Sequence, residues 1–378
     1  MKNMPIHPGQ NGSELIMSTR LRQSSPTCLL WLVFIVTLGL LTACSPAAPI
    51  PTATPSPTHT PEQSPTPTQT PTPRPTATPT LPPLGSMGNP ITIGFILPQT
   101  NNADLAAEDL TGLMGRETGY VLEAFFYPDF QSLSQAIING DLHLFWLRPL
   151  EYLYLNGERA AEVMLLTNHL GVYAYGVQFI ANNSSGFTPY FNPETGQNVG
   201  DFLYALQQFS GTRPCFLDPQ STPGYFVPMG LLANASTPTL DPVFVYSYNA
   251  IIRALYIRGI CDFGVTYALT GDPFTASDIM LNLPDAREQI AIIWQSDGII
   301  PNMNLSASPS LPTFIRFRLD EAVLRIADTP DGLNLISTAL DYQVEAMRSV
   351  EDHFYNPFRA VILSLELDLQ AITYETAQ

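Results

Sequence analysis

Lysine is almost absent. Lys2 is the only one in 378 residues, and it lies ahead of the segment expected in the mature chain, so every strong cation of the folded part is an arginine. With 16 Lys+Arg against 33 Asp+Glu and a net charge of −17, no basic stripe exists to neutralise a phosphate backbone. Nucleic acid is therefore excluded as a partner. Histidine is scarce too. Of the five, only His143, His169 and His353 fall beyond the N-terminal segments, and their wide spacing matches no metal-ligand pattern. The chain also lacks a Gly-x-Ser-x-Gly nucleophile elbow and a glycine-rich phosphate loop with lysine. No enzyme, metal or cofactor is expected, an extracellular hydrolase being the residual enzymatic alternative.

Cysteine is sparse, with four in all. Cys28 opens the apolar run 28–43, CLLWLVFIVTLGLLTA, which Arg20 and Arg22 precede and which ends in LTAC at Cys44. That pattern is a bacterial lipoprotein signal, with Cys44 the acylated residue and 1–44 the signal segment. Met17 is an alternative start close to the basic flank. An uncleaved membrane anchor is the competing reading, against which stands a run shorter than the ~20 residues a spanning helix needs. Cys215 and Cys261 remain, each at the start of a strand-like run. In an oxidising exterior an even pair points to a disulfide, the alternative being two buried free thiols.

Residues 45–88 are a Pro/Thr repeat with almost nothing to bury. Such a segment forms no core; at ~3.1 Å per residue in polyproline II it holds the folded body up to ~120 Å from the lipid. It reads as a tether at the outer face of a bacterial cytoplasmic membrane.

From 89 onward strand-like and helical runs alternate. ITIGFIL, YVLEAFFY and LHLFWL are strands; 103–119 and 130–140 are helices ending at glycine, and PLEYLYLNGERA begins with proline in its first turn. A second series, from DFLYALQQFSG through CFLDP, GYFVPMGLLANA, PVFVYS and NAIIRALYIRG to CDFGVTYA, repeats the alternation, and the C-terminal third is largely helical. This implies an α/β chain with two lobes, each a mostly parallel sheet flanked by helices, joined by two crossing strands near 175 and 292. The expected division is 89–180 for the first part of lobe 1, 181–290 for lobe 2, and 291–378 for the return strand and the helices completing lobe 1. A ligand then sits between lobes, where strand ends and helix N-termini converge.

FLDPQSTPGYFVP, 216–228, runs a strand into a turn with two hydroxyls and a glycine before a helix. Ser221, Thr222 and Gly224 are the leading contacts for an anion, because the first turn of a helix leaves N–H groups without partners; a plain N-cap is the competing reading. Thr100 and Asn101 follow the first strand, and either line the cleft or cap a helix. Thr266 and Tyr267, nearer the end of the strand that Asp262 begins, are better placed to reach the cleft. Asp262, Trp146 and Tyr152 read as structural.

The ordered set of segments resembles the phosphate/phosphite/phosphonate substrate-binding proteins of ABC transporters, a branch of the type 2 periplasmic binding proteins. FLDPQSTPGYFVP is similar to the family's Asp-Pro-x-Ser-Thr-Ser-Gly-Tyr turn, with Pro223 for the third serine. NGDLHLFWLRPLEYL resembles its Gly-x-x-Asp and Gly-Pro-x-x-Tyr segment, with Arg148 for glycine. RGICDFGV, IIWQSDGIIPN and YPDFQSLSQAIING, the last with Phe130 for tyrosine, follow in kind, and Tyr246-Ser247-Tyr248 stands where the family has Gly-Ser-His. The resemblance implies a monomeric solute receptor that closes on a phosphorus oxyanion and presents it to permease subunits. It adds Arg148, Ser247 and Tyr248 to the candidate contacts; for Arg148 the alternative is a surface salt bridge to Glu151. A tethered sensor or orphan receptor without a transport partner is the alternative function.

Overall fold

The computed structural model describes residues 81–97, 102–269, 272, 274, 283 and 285–376. The segment read as a lipoprotein signal with Cys44, most of the segment read as a tether, Thr100 and Asn101 lie outside the described residues. The folded part starts earlier than 89. Leu84 packs on the first sheet's core and the Gly85 carbonyl accepts the Val121 N–H at 2.8 Å, so the last residues assigned to the tether already belong to the body.

The chain runs β1 (Ile91–Ile96), α1 (Ala103–Thr118), β2 (Leu122–Tyr127), α2 (Phe130–Asn139), β3 (Leu144–Leu147), α3 (Pro149–Gly157) and β4 (Glu162–Asn168). α1 and α2 stop where Gly119 and Gly140 take positive φ, 76° and 82°, and Asp129 caps α2 by accepting the Ser132 N–H. Next come β5 (Ala174–Asn182), the short hairpin β6 (Phe191–Asn192) and β7 (Gln197–Asn198), α4 (Phe202–Gln207), β8 (Pro214–Phe216), a π-helical turn (Thr222–Phe226) running into α5 (Val227–Asn234), β9 (Val243–Phe244), α6 (Tyr248–Ile257), β10 (Phe263–Ala268), α7 (Ala286–Gln289) and β11 (Ile290–Gln295). β12 (Ile300–Pro301), β13 (Asn304–Ala307), α8 (Thr313–Ala327), α9 (Pro330–Leu340), β14 (Ala346–Ser349), α10 (Asn356–Leu363) and α11 (Leu369–Thr376) complete it.

Two sheets result. The first has the order β14-β4-β13-β3-β1-β2, the second β11-β5-β10-β8-β9 with β12 also on β5. Each is parallel where strand-helix-strand units build it (β2-β1-β3 and β10-β8-β9) and antiparallel where the chain crosses between sheets. The sheets are thus mixed rather than mostly parallel, because strands that arrive from the other lobe run against those already there.

The crossings differ in place from the expected boundaries. β5 and β11 lie wholly in the second sheet, so the chain changes sheets at 169–173 and again at 302–303. The two crossings are bonded side by side. Asn302 N–H donates to Tyr173 O, its Nδ2 donates to Val172 O at 2.7 Å and Thr167 O at 3.3 Å, and Thr167 Oγ1 donates to Met303 O.

The C-terminal third is not one helical run. α9 ends at Leu340 with Asp341 at φ 47°, and β14 adds to the edge of the first sheet before α10 begins. One apolar body then joins both sheets: Phe145 and Leu147 from the first, Tyr152 from α3, Phe179, Phe216 and Phe263 from the second, and Tyr355, Phe358 and Val361 from the C-terminal segment. Gly230 of α5 lets α10 approach, since a Cβ there would lie 2.3 Å from Val361 O. Cys215 on β8 and Cys261, two residues before β10, are both buried and are joined by a disulfide with Cα atoms 5.6 Å apart.

Candidate ligand-binding cleft

Two adjoining cavities open where the sheets meet. One, of about 330 Å³, is lined by Arg148 and Glu151 at the start of α3, by Gln220, Thr222 and Pro223 of the turn, and by Asp341 and Tyr342 after α9. The other, of about 280 Å³, is lined by His169, Tyr267 and Leu269 among others, and shares Tyr175, Pro223, Asn302 and Tyr342 with the first. The lining comes from both lobes and both crossings.

The turn before α5 does face the opposite lobe, but most of its donors are used within it. Ser221 Oγ accepts the Gly224 N–H at 3.0 Å, and Ser221 O accepts the N–H groups of Tyr225 and Phe226. Pro223 has no N–H. Thr222 is left with an N–H and a hydroxyl that no other described residue takes up. Gly224 is required for packing: a Cβ there would lie 2.4 Å from Leu217 Cβ.

Across the cavity, the α3 N-terminus is already occupied by a carboxylate. Glu151 is 4% exposed and accepts the Arg148 N–H at 2.6 Å. Burial raises its pKa, and the Arg148 charge and that hydrogen bond pull it back in part. The salt bridge to Glu151 expected as the alternative is not the observed pairing. The contact is through the Arg148 backbone, and the exposed guanidinium forms no ion pair among the described residues.

Tyrosines fill the remainder. Tyr248 packs edge-on against Tyr267 with centroids 5.2 Å apart, Tyr342 stacks on His169 at 4.5 Å, and Tyr175 lies near both Tyr248 and Tyr342. Burial raises the pKa of all four phenols, so each stays a neutral hydroxyl at ordinary pH.

Residues 95–355 match the family described as ABC transporter, phosphonate, periplasmic substrate-binding protein. The chain belongs to this family. Its members are transport substrate-binding proteins rather than enzymes. Phosphate-import protein PhnD of Mycolicibacterium smegmatis is 23% identical over 218 residues, 54% of this chain; the match spans 62% of that relative's length. XAC2383 from Xanthomonas citri, solved bound to chloride ion, has a TM-score of 0.50 at 15% identity, covering 75% of this chain and 98% of that one, a likeness of fold alone. A binding-protein component of an ABC phosphonate transporter from Pseudomonas aeruginosa is 19% identical, covers 76% of this chain and 88% of its own, and has a TM-score of 0.40.

In this binding-protein frame the structure brings together only part of the expected set. Arg148, Thr222 and Tyr267 line the cavities, and Tyr248 stands behind Tyr267 in contact with the Ser221 hydroxyl. Ser221 is a helix cap and is not among the residues lining either cavity. Ser247 is an exposed cap of α6, accepting the Ala250 N–H, and is not among the residues lining either cavity. Thr266 is fully buried within the second sheet, where its hydroxyl accepts from Gln178, because alternation along β10 sends it to the face opposite Tyr267. Tyr175, Tyr342, Asn302, Asp341 and Gln220 were not foreseen. Asn302 lies on a crossing, Tyr175 at the start of β5 just after the other, and Asp341 and Tyr342 on the α9–β14 connection, whose meeting no local pattern announces. A larger recess of about 740 Å³ lies elsewhere on the second sheet, but its arginine, Arg287, is already paired with Asp272 and stacked on Phe274.

Proposed function

We propose that the chain is a lipid-anchored extracytoplasmic receptor that holds a phosphorus oxyanion between its lobes and delivers it to the permease of an ABC importer. The observation that supports this reading is that Arg148 and Thr222 line one cavity, and that among the described residues the guanidinium forms no ion pair and the Thr222 hydroxyl and N–H have no partner. A guanidinium pairs bidentately with phosphate or phosphonate oxygens, and charge-assisted bonds contribute ~1.5–3 kcal/mol each. Three or four of them, less the cost of association, approach the ~8 kcal/mol of micromolar binding when lobe closure adds the neutral tyrosine hydroxyls as donors. The name of the relative, a phosphate-import protein, agrees with this ligand class. Calorimetric titration with phosphate and methylphosphonate tests it: binding near micromolar that Arg148→Ala weakens at least tenfold supports the reading, and no heat with either overturns it.

Pro223 and the self-capped Ser221 leave the turn poor in donors, which favours a second reading: a tethered sensor or orphan receptor with no transport partner. Stimulation of a permease–ATPase complex by the loaded protein separates the two.

A further inference from the structure

Besides the two crossings, a third length of chain joins the lobes. After β14 leaves the edge of the first sheet, a 3₁₀ turn (Asp352–Tyr355) leads into α10 and then α11. The turn is fixed to lobe 1. Tyr152 Oη, on α3, donates to Asp352 at 2.8 Å, Arg359 of α10 donates to Asp352 and to Asn156 Oδ1, and the rings of Tyr152 and Tyr355 lie 4.3 Å apart. Tyr355 is fully buried and its hydroxyl accepts from Asn304 Nδ2 at 2.8 Å, directly after the second crossing. The body of α10 is fixed to lobe 2. It lies on α5 so closely that a Cβ at Gly230 would be 2.7 Å from Val361 Cγ1, and Ser364 Oγ reaches Gly230 O at 3.1 Å. α11 then returns to lobe 1, where the Tyr374 ring meets Phe130 of α2 and Tyr154 of α3 edge-on at 6.0 and 5.9 Å.

We propose that the segment from Val350 to Tyr374 is a strap that limits how far the lobes swing apart, with the α5–α10 contact as its clasp. Two extended connections bonded side by side make a hinge that a few φ/ψ changes can turn. A helix packed in a dense core does not yield in that way. Rotation about the crossings would draw α5 off α10 and uncover Phe358 and Val361, now 0% and 6% exposed, at a cost that grows with the apolar area brought into water. The clasp also acts on the cleft wall. The turn Thr222–Phe226 continues into α5 without a break, the Val227 N–H donating to Thr222 O, while Arg148 opens α3, the helix held by Tyr355 and Tyr374. The strap thus fixes the two walls relative to each other whatever the cleft binds.

Double electron–electron resonance on the full chain tests it, with nitroxides carried by p-acetylphenylalanine in place of Glu108 of α1 and Tyr204 of α4, both exposed and one in each lobe. Wild type is expected to give one narrow distribution of interlobe distance without ligand. Gly230→Ala, which drives a methyl into α10, is expected to widen it at least twofold. Gly264→Ala is the control: its Cβ would lie 2.4 Å from Ile251 Cγ2 inside lobe 2, so it strains one lobe alone and leaves the width at the wild-type value. Val361→Ala thins the clasp without an overlap and is expected to widen the distribution as well, which keeps the test decisive if Gly230→Ala fails to fold. Widening by either clasp variant, with Gly264→Ala unchanged, supports the strap. No widening by the clasp variants, or equal widening in all three, overturns it and leaves the oxyanion reading standing.

Discussion

Ser221 and Thr222 are adjacent hydroxyls with different work. Ser221 Oγ takes the Gly224 N–H and touches Tyr248, so Ser221→Ala removes an N-cap and is expected to cost about 1 kcal/mol in urea unfolding. Thr222→Ala gives up no protein partner; it should leave the unfolding midpoint within error while reducing the ligand-induced rise in Tm. An equal loss of stability in both variants contradicts this division. Glu151 adds a pH signature. Its carboxyl, buried at the start of α3, has a folded-state pKa raised above the ordinary value of 4.5. Such a group supports the fold fully while protonated, below about 4.5, and that contribution is lost as pH rises through the folded-state pKa. Glu151→Gln keeps an acceptor for the Arg148 N–H without the charge, so stability measured against wild type should shift in favour of the variant between pH 4.5 and neutrality. A constant difference across that range contradicts it. The sequence showed the two hydroxyls because they sit together in one turn, and showed Arg148 through its strand-end position. It did not show that Glu151 fills the α3 N-terminus, nor that Tyr175, Tyr342 and Asn302 meet, since 127 residues separate Tyr175 from Asn302 and only the paired crossings join them.

At the scale of elements, β8 and β10 are locked by the Cys215–Cys261 bridge across a sequence separation of 46. In the chain-entropy view a closed loop of that length contributes about 4 kcal/mol. Reduction, or paired replacement by serine, should lower the unfolding free energy by a large part of that, as denaturant titration with and without reductant would show; no change contradicts a formed bridge. α5 and α10 meet at Gly230, where Gly230→Ala drives a methyl into Val361 O and should destabilise by about 1–3 kcal/mol, read as a lower Tm. Helices with local punctuation were legible: α1 and α2 stop at glycine, and α3 begins with proline. EVMLLTN was not. Its buried apolar run lacks the alternation that identifies a strand, yet it forms β4, paired on both sides within the first sheet. β14 is four residues between helices, and pairing with β4 alone makes it a strand.

For the molecule as a whole, the chain crosses twice between mixed sheets, and the two crossings carry Asn302 and the residues it ties together. Two lobes were legible from repeated alternation; the crossing points were not, because an extended run looks the same whichever sheet receives it. The C-terminal helices bury Tyr355, Phe358 and Val361 against both lobes, so motion between them must preserve that shared core. The most direct measurement of the cleft is a calorimetric titration of the protein with methylphosphonate, repeated on the Arg148→Ala, Thr222→Ala double variant. Saturable one-to-one binding near micromolar, lost in the double variant, is the expected result. Heat that is absent in wild type, or unchanged in the double variant, contradicts an oxyanion held between Arg148 and Thr222.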